Sequence, residues 1–176
     1  ALASFSLKPG DEVIIPAYTF VSGASSIIQE NAIPIFADIE KDTYCIDPKS
    51  IEKNITKKTK AIMPTHIYGH PAKMRQINKI AKDFDLIVIE DCAQAHGAKI
   101  GNKLVGSFGD AGCYSFAKTK NMTTGEGGMV VTNKKSICEE SKILRQNGKL
   151  TWKIHKRLGY NYRMTEMQAA LGLDQL

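Results

Sequence analysis

Short apolar runs alternate along the chain with longer stretches in which apolar positions recur every three or four residues. A short continuous run suits a strand buried on both faces, whereas the longer spacing collects apolar side chains on one side of a helix. Their alternation predicts a largely parallel sheet covered by helices. The predicted strands are EVIIP (Glu12 to Pro16), IPIFADI (Ile33 to Ile39), KAIMPTH (Lys60 to His66), LIVIED (Leu86 to Asp91), GCYSF (Gly112 to Phe116) and GGMVVTN (Gly127 to Asn133). Helices are predicted over Phe20 to Glu30, Pro48 to Ile55, Pro71 to Asp83 and Lys134 to about Asn147. The second has Pro48 at its first position and Asp47 before it to cap the free amides. The third carries Met74, Ile77, Ile80, Ala81 and Phe84 on one side.

Both ends read as interrupted patterns. Ala1 to Leu7 resembles the last turns of a helix, stopped by Pro9 and Gly10 but with no start signal, and Thr165 to Leu176 is a helical pattern that stops without a cap. The expectation is one domain over residues 1–176, an excerpt truncated at both ends of a longer protein.

Composition narrows the class. The 176 residues are 43% hydrophobic and 24% charged, ordinary for a globular domain with a real core. Cys45, Cys92, Cys113 and Cys138 lack the paired spacing of a zinc site or a secreted disulfide framework, so no metal and a reducing cytoplasm are expected. No apolar run is long enough to span a bilayer, and no signal-peptide pattern opens the chain. The net charge of +6 comes mainly from Lys53 to Lys60 and Lys149 to Arg157. No helix-turn-helix or aromatic-basic pattern accompanies it, which argues against nucleic acid and is compatible with a phosphorylated small substrate.

The candidate chemistry lies at strand ends, where ligands collect in open parallel sheets. Asp91 ends LIVIED, and a carboxylate there can hold a heterocyclic nitrogen protonated. SFAKTKNMTTGEGGMVVTN (Ser115 to Asn133) then offers Lys118 and Lys120 after a strand, and a lysine that forms a Schiff base must present a neutral amine in a confined setting. GNKLVGSFGDAG (Gly101 to Gly112) is glycine-rich, but it contains neither GxGxxG between a strand and a helix nor GxxxxGK[ST], so dinucleotide and P-loop sites are excluded. The absence of GxSxG removes the elbow of a serine hydrolase.

Taken together and in order, PGDEVIIPAYTF, TKAIMPTHIYG, IEDCAQAHGA, SFAKTKN, TTGEGGMVVTN and GYNYRMTEMQAALGLDQL resemble the DegT/DnrJ/EryC1/StrS sugar aminotransferases, a branch of the fold-type I enzymes dependent on pyridoxal 5'-phosphate (PLP). The resemblance implies the large domain of that fold, a mostly parallel seven-stranded sheet between helices in three α/β/α layers. The smaller carboxyl-terminal domain and the upstream Gly-Thr phosphate loop are then expected outside this chain. It further implies that Lys120 is the Schiff-base lysine and that Asp91 contacts the pyridine nitrogen. Gln94 would lie near the cofactor's phenolic oxygen, Ser115 would bind its phosphate and Phe20 would stack on its ring. Asn161 would reach the phosphate in the neighbouring subunit of a homodimer with shared sites. His66 and Tyr68 fall at a strand end near the site, where a structural role is equally open to each.

The implied reaction moves an amino group from glutamate to a keto sugar nucleotide. HIYGHPAKM and TTGEGGMVVTN resemble the perosamine-synthase-like members, which aminate carbon 4 of a 4-keto-6-deoxy sugar. Two alternatives stand beside it. A PLP-dependent sugar dehydratase of the family has histidine in place of the lysine, which this chain keeps; a catalytically silent regulatory or scaffolding member would not need the intact Asp91, Gln94, Ser115 and Lys120 set.

Overall fold

The computed structural model describes residues 1–176. In chain order the elements are β1 (Glu12–Pro16), α1 (Ser22–Gln29), β2 (Ile33–Ala37), α2 (Pro48–Asn54), β3 (Thr59–Ile62), α3 (Met74–Asp83) and β4 (Ile87–Asp91). There follow β5 (Lys99–Ile100), β6 (Lys103–Leu104), β7 (Ala111–Ser115), β8 (Gly128–Val131), α4 (Lys135–Arg145) and α5 (Glu166–Asp174). Six strands form one sheet in the order β2-β1-β3-β4-β7-β8. All its neighbours are parallel except β7 and β8. Each strand read from the hydrophobic pattern is therefore present. The seventh, which came only from the resemblance, has no counterpart: the one further extended pair, β5 and β6, makes a separate hairpin.

Strand alternation divides the core into two halves. Ile14, Ile62 and Val88 face one side and pack with Ile51 of α2 and Met74, Ile77, Ile80 and Ala81 of α3. Val13, Ile15, Ala61, Met63 and Ile89 face the other, against Ile27 of α1 and Leu2. Most of these side chains are fully buried, at about 1.5–3 kcal/mol each for the larger ones. The result is a three-layer α/β/α arrangement.

The helix starts follow from who takes the first amides. In α2 the Asp47 carboxylate accepts from Lys49 N at 2.9 Å with Pro48 in the first turn, as expected. In α5 Thr165 and Gln168 form a reciprocal capping box that the sequence reading passed over. The helix expected from Pro71 begins only at Met74; the chain just before it is instead tied to the strand end by Ala72 N, which donates to His66 Nδ1 at 3.0 Å. Residues near Ala1 form a single 3-10 turn, Leu2–Phe5, rather than α-helical turns.

Candidate active site

The carboxyl ends of β1, β3, β4 and β7 lie along one edge of the sheet and set out the candidate residues. Asp91 is the last residue of β4. Its Oδ1 accepts from Ala93 N at 3.0 Å, and its Oδ2 meets the Thr65 hydroxyl at 3.5 Å, the limit of a hydrogen bond. Thr65 Oγ1 is in turn 3.1 Å from Thr19 Oγ1. An ionised carboxylate only accepts, so Thr65 donates to Asp91 and Thr19 donates to Thr65. Burial raises the Asp91 pKa, opposed by the Ala93 amide and by the charge of Lys120. Lys120 is thus close enough to act electrostatically on Asp91, although 29 residues separate them in the chain.

Lys120 sits in a turn after β7, held by its own amide donating to Ala117 O at 3.0 Å. It lines a cavity of about 660 Å³ with Tyr68, Gln94, His96, Thr119 and Asn121. Lys118, the other candidate, is exposed and outside this wall. Gln94 Oε1 accepts from Tyr68 N at 2.7 Å, which turns the NH₂ of the amide away from Tyr68 and leaves it as the free donor.

Ser115 ends β7 half-buried, its Oγ accepting from Ala117 N at 3.3 Å so that its hydroxyl hydrogen stays available. Phe20 follows β1, next to Thr19, and is 69% exposed, which excludes a core role for its ring. Asn161 stands apart: it pairs with Gln146 and accepts from Arg163 Nε at 2.9 Å, and it does not line the Lys120 cavity. The structure therefore brings Gln94 and Lys120 into one cavity, sets Asp91 at the end of β4 within electrostatic reach of Lys120, leaves Ser115 and Phe20 at neighbouring strand ends, and separates Asn161.

Beside Asp91 lies a buried cluster whose pairing the sequence did not reveal. Glu90 is wholly buried, its Oε2 3.0 Å from His66 Nε2 and 2.8 Å from Gly106 N, and its Oε1 2.7 Å from both Phe108 N and Gly109 N. Burial opposes its charge, yet the bonds from His66, Gly109 and Gly106 outweigh it and hold the pKa below the ordinary glutamate range. Because His66 Nδ1 accepts from Ala72 N, the ring hydrogen must be on Nε2 and point at Glu90. Cys92 Sγ completes a trio within 4.8 Å. The imidazole and the carboxylate are committed to hydrogen bonds, so the cluster acts as a clip. It fastens the glycine-rich loop after β6 to the strand that carries Asp91. His66 and Tyr68, equally open to a structural role in the sequence, thus separate: His66 belongs to the clip and Tyr68 to the cavity.

The sequence profile of the DegT/DnrJ/EryC1/StrS aminotransferase family matches residues 1–176. The chain belongs to that family. It is 46% identical over 180 residues to the GDP-perosamine synthase of Escherichia coli O157:H7, covering 100% of this chain and 49% of that protein. It is 48% identical over 172 residues to a pleiotropic regulatory protein of Geobacillus stearothermophilus, covering 97% and 46%. Among solved structures, the aminotransferase from Psychrobacter cryohalolentis superposes with a TM-score of 0.94 at 40% identity, over 99% of this chain and 47% of that one. NtdA from Bacillus subtilis, solved with bound cofactor PMP, superposes with a TM-score of 0.92 at 34% identity, over 99% and 40%. This family member thus spans about half the length of the relatives it matches.

The residues present fit the cofactor that the family implies. Asp91 keeps one oxygen bound only weakly, as an acceptor for a protonated ring nitrogen must. Lys120 has no ion-pair partner within 4.0 Å and lines the same cavity as Gln94, whose NH₂ is a free donor.

Proposed function

We propose that the protein moves an amino group from glutamate to a keto sugar nucleotide, with PLP as cofactor. What supports this reading is that Asp91 ends β4 at the carboxyl edge of the sheet within electrostatic reach of Lys120, in a chain whose relatives include a GDP-perosamine synthase. When bound, PLP supplies an electron sink for charge left at a carbon that loses a proton. Asp91 holds the ring nitrogen in its protonated form, and burial of the carboxylate strengthens that pairing. The Lys120 amine, anchored by the turn on Ala117, would hold the cofactor and, once released from it, would serve as the base and acid that moves the proton. Gln94 would donate to the phenolic oxygen, Ser115 would bind the phosphate, and Phe20 would stack on the ring.

The substrate is proposed as a 4-keto-6-deoxy sugar on a nucleoside diphosphate, destined for amino sugars of surface polysaccharides. A homodimer with shared sites is proposed as well, Asn161 serving the partner's phosphate group. The exposure of Trp152, Leu158, Tyr162, Met167 and Leu173, which flank Asn161 in the chain, supports a covering partner. Four unpaired cysteines and the use of glutamate support the cytoplasm as the place of action.

The regulatory protein among the relatives favours one other reading, a member that binds PLP without turnover. Lys120→Ala separates the two. In the full-length enzyme, borohydride should fix cofactor to the wild type and not to the variant, and glutamate should bleach the yellow wild-type protein. Turnover retained by Lys120→Ala refutes the proposal; a yellow wild type indifferent to every amino donor supports the regulatory reading.

A further inference from the structure

Tyr68 lines the Lys120 cavity, and two further tyrosines extend outward from it, Tyr18 beside Tyr68 and Tyr44 beside Tyr18. Tyr18 follows β1, Tyr44 lies in the connection between β2 and α2, and Tyr68 follows β3. Their rings lie 5.9 Å apart (Tyr18 and Tyr44) and 6.2 Å apart (Tyr18 and Tyr68), tilted by 47° and 59°. The Tyr18 and Tyr68 hydroxyls are hydrogen-bonded to each other. All three rings are largely open to solvent, at 45%, 50% and 68% for Tyr18, Tyr44 and Tyr68.

Two of them are held against local preference. Tyr44 has φ 58° and Tyr68 has φ 54°, the left-handed region, which is unfavourable for a bulky residue. Nothing is gained in core packing, because the rings are exposed. Strained backbone that displays aromatic side chains beside a cavity is a feature of ligand sites. Tyr68 is fixed there by its own amide, which binds Gln94, so its ring and Lys120 border the same space.

We propose that this aromatic rim is the subsite for the pyranose ring of the substrate, a deepening that rests on the function proposed above. In a sugar nucleotide the reacting carbonyl carbon belongs to the pyranose, and a diphosphate separates that ring from the base. A wall that borders Lys120 therefore meets the sugar first. The geometry agrees. Tilted rings leave no parallel slot for a flat base, but they offer single open faces for the C–H side of a pyranose. The paired phenols leave one O–H and several lone pairs for its hydroxyls.

The test is calorimetric binding by the full-length holoenzyme of GDP-mannose, UDP-glucose and dTDP-glucose, each against its nucleoside diphosphate alone. These sugars carry no ketone, so binding is read without turnover. Tyr44→Asn and Tyr68→Asn remove the ring and suit the left-handed backbone, and Tyr18→Leu removes the third ring. Each should weaken the sugar nucleotide that wild type binds by tenfold or more and its diphosphate by less than twofold. The two asparagine variants should keep or raise the thermal midpoint, which a merely structural role for the rings would lower. Equal loss for sugar nucleotide and diphosphate, no loss for either, a wild type that binds none of the three sugars, or a collapse in the midpoint would each overturn the proposal. Cofactor trapping on Lys120 reports separately on the function it rests on.

Discussion

Replacing Glu90 with glutamine tests the clip beside the site. The carboxylate accepts four hydrogen bonds, two at each oxygen. A glutamine amide can accept at only one end. In either orientation its NH₂ faces two hydrogens that point inward, from Gly106 and His66 or from Phe108 and Gly109. Histidine cannot relieve the clash by moving its hydrogen, because Nδ1 is already the acceptor for Ala72 N at 3.0 Å. Two charge-assisted bonds at about 1.5–3 kcal/mol each are lost and two donors are left buried. Breaking a buried pair in this way costs about 3–5 kcal/mol, a large share of a typical stability of about 5–15 kcal/mol. With a urea slope of about 2 kcal/mol per molar, the midpoint should fall by about 2 M at pH 7.

The pH dependence follows from the direction of the shift. Glu90 has a lower pKa folded than unfolded, so its contribution is present above the ordinary glutamate value of about 4.5 and is lost as pH falls through the folded value. The gap between wild type and Glu90→Gln should therefore narrow below about pH 4.5. Urea titrations followed by far-ultraviolet circular dichroism at pH 7 and at pH 4 measure both effects. A variant within about 1 kcal/mol of wild type at pH 7 would refute the reasoning, since it would mean that neither the charge nor the polarity of the cluster is needed.

Two further outcomes follow. A methyl group on Gly112 would sit 2.5 Å from Gly106 Cα and 2.6 Å from its oxygen, so Gly112→Ala should cost about 1–3 kcal/mol or more and be visible as a lowered thermal midpoint; an unchanged midpoint would contradict the close approach. Cys45 and Cys92 are buried with thiol pKa values raised by burial, so Ellman's reagent should reach neither until denaturant is added, whereas rapid modification of Cys92 in the native protein would contradict its placement.

The sheet was legible because its strands are short apolar runs whose alternation is a local property of the chain. Asp91 was legible for the same reason, as the polar residue where a buried run ends. Choosing between Lys118 and Lys120 was not a local matter: the two differ in which one faces the cavity, and the family pattern supplied the choice before the geometry was known. The partners of Glu90 could not be read at all, because three of its four bonds come from main-chain amides, which leave no side-chain signature. Glycines 101 to 112 gave a signal, but it was weighed only against phosphate loops, whereas here they turn a hairpin and let Gly106 and Gly112 approach each other. The tyrosine rim was illegible because Tyr18, Tyr44 and Tyr68 come from three separate connections that only the parallel order of β1, β2 and β3 makes adjacent.

Successive residues of a strand point to opposite sides, and β4 ends on two acids in a row. One faces the proposed chemistry; the other fastens the hairpin loop. Shortening the segment between Leu104 and Gly109 would thus not be a silent trim of a surface turn. It would pull on Glu90, and through one peptide bond it would re-aim the Asp91 carboxylate, proposed above to hold the ring nitrogen protonated. Engineers seeking a site for insertion or circular permutation should look to other loops.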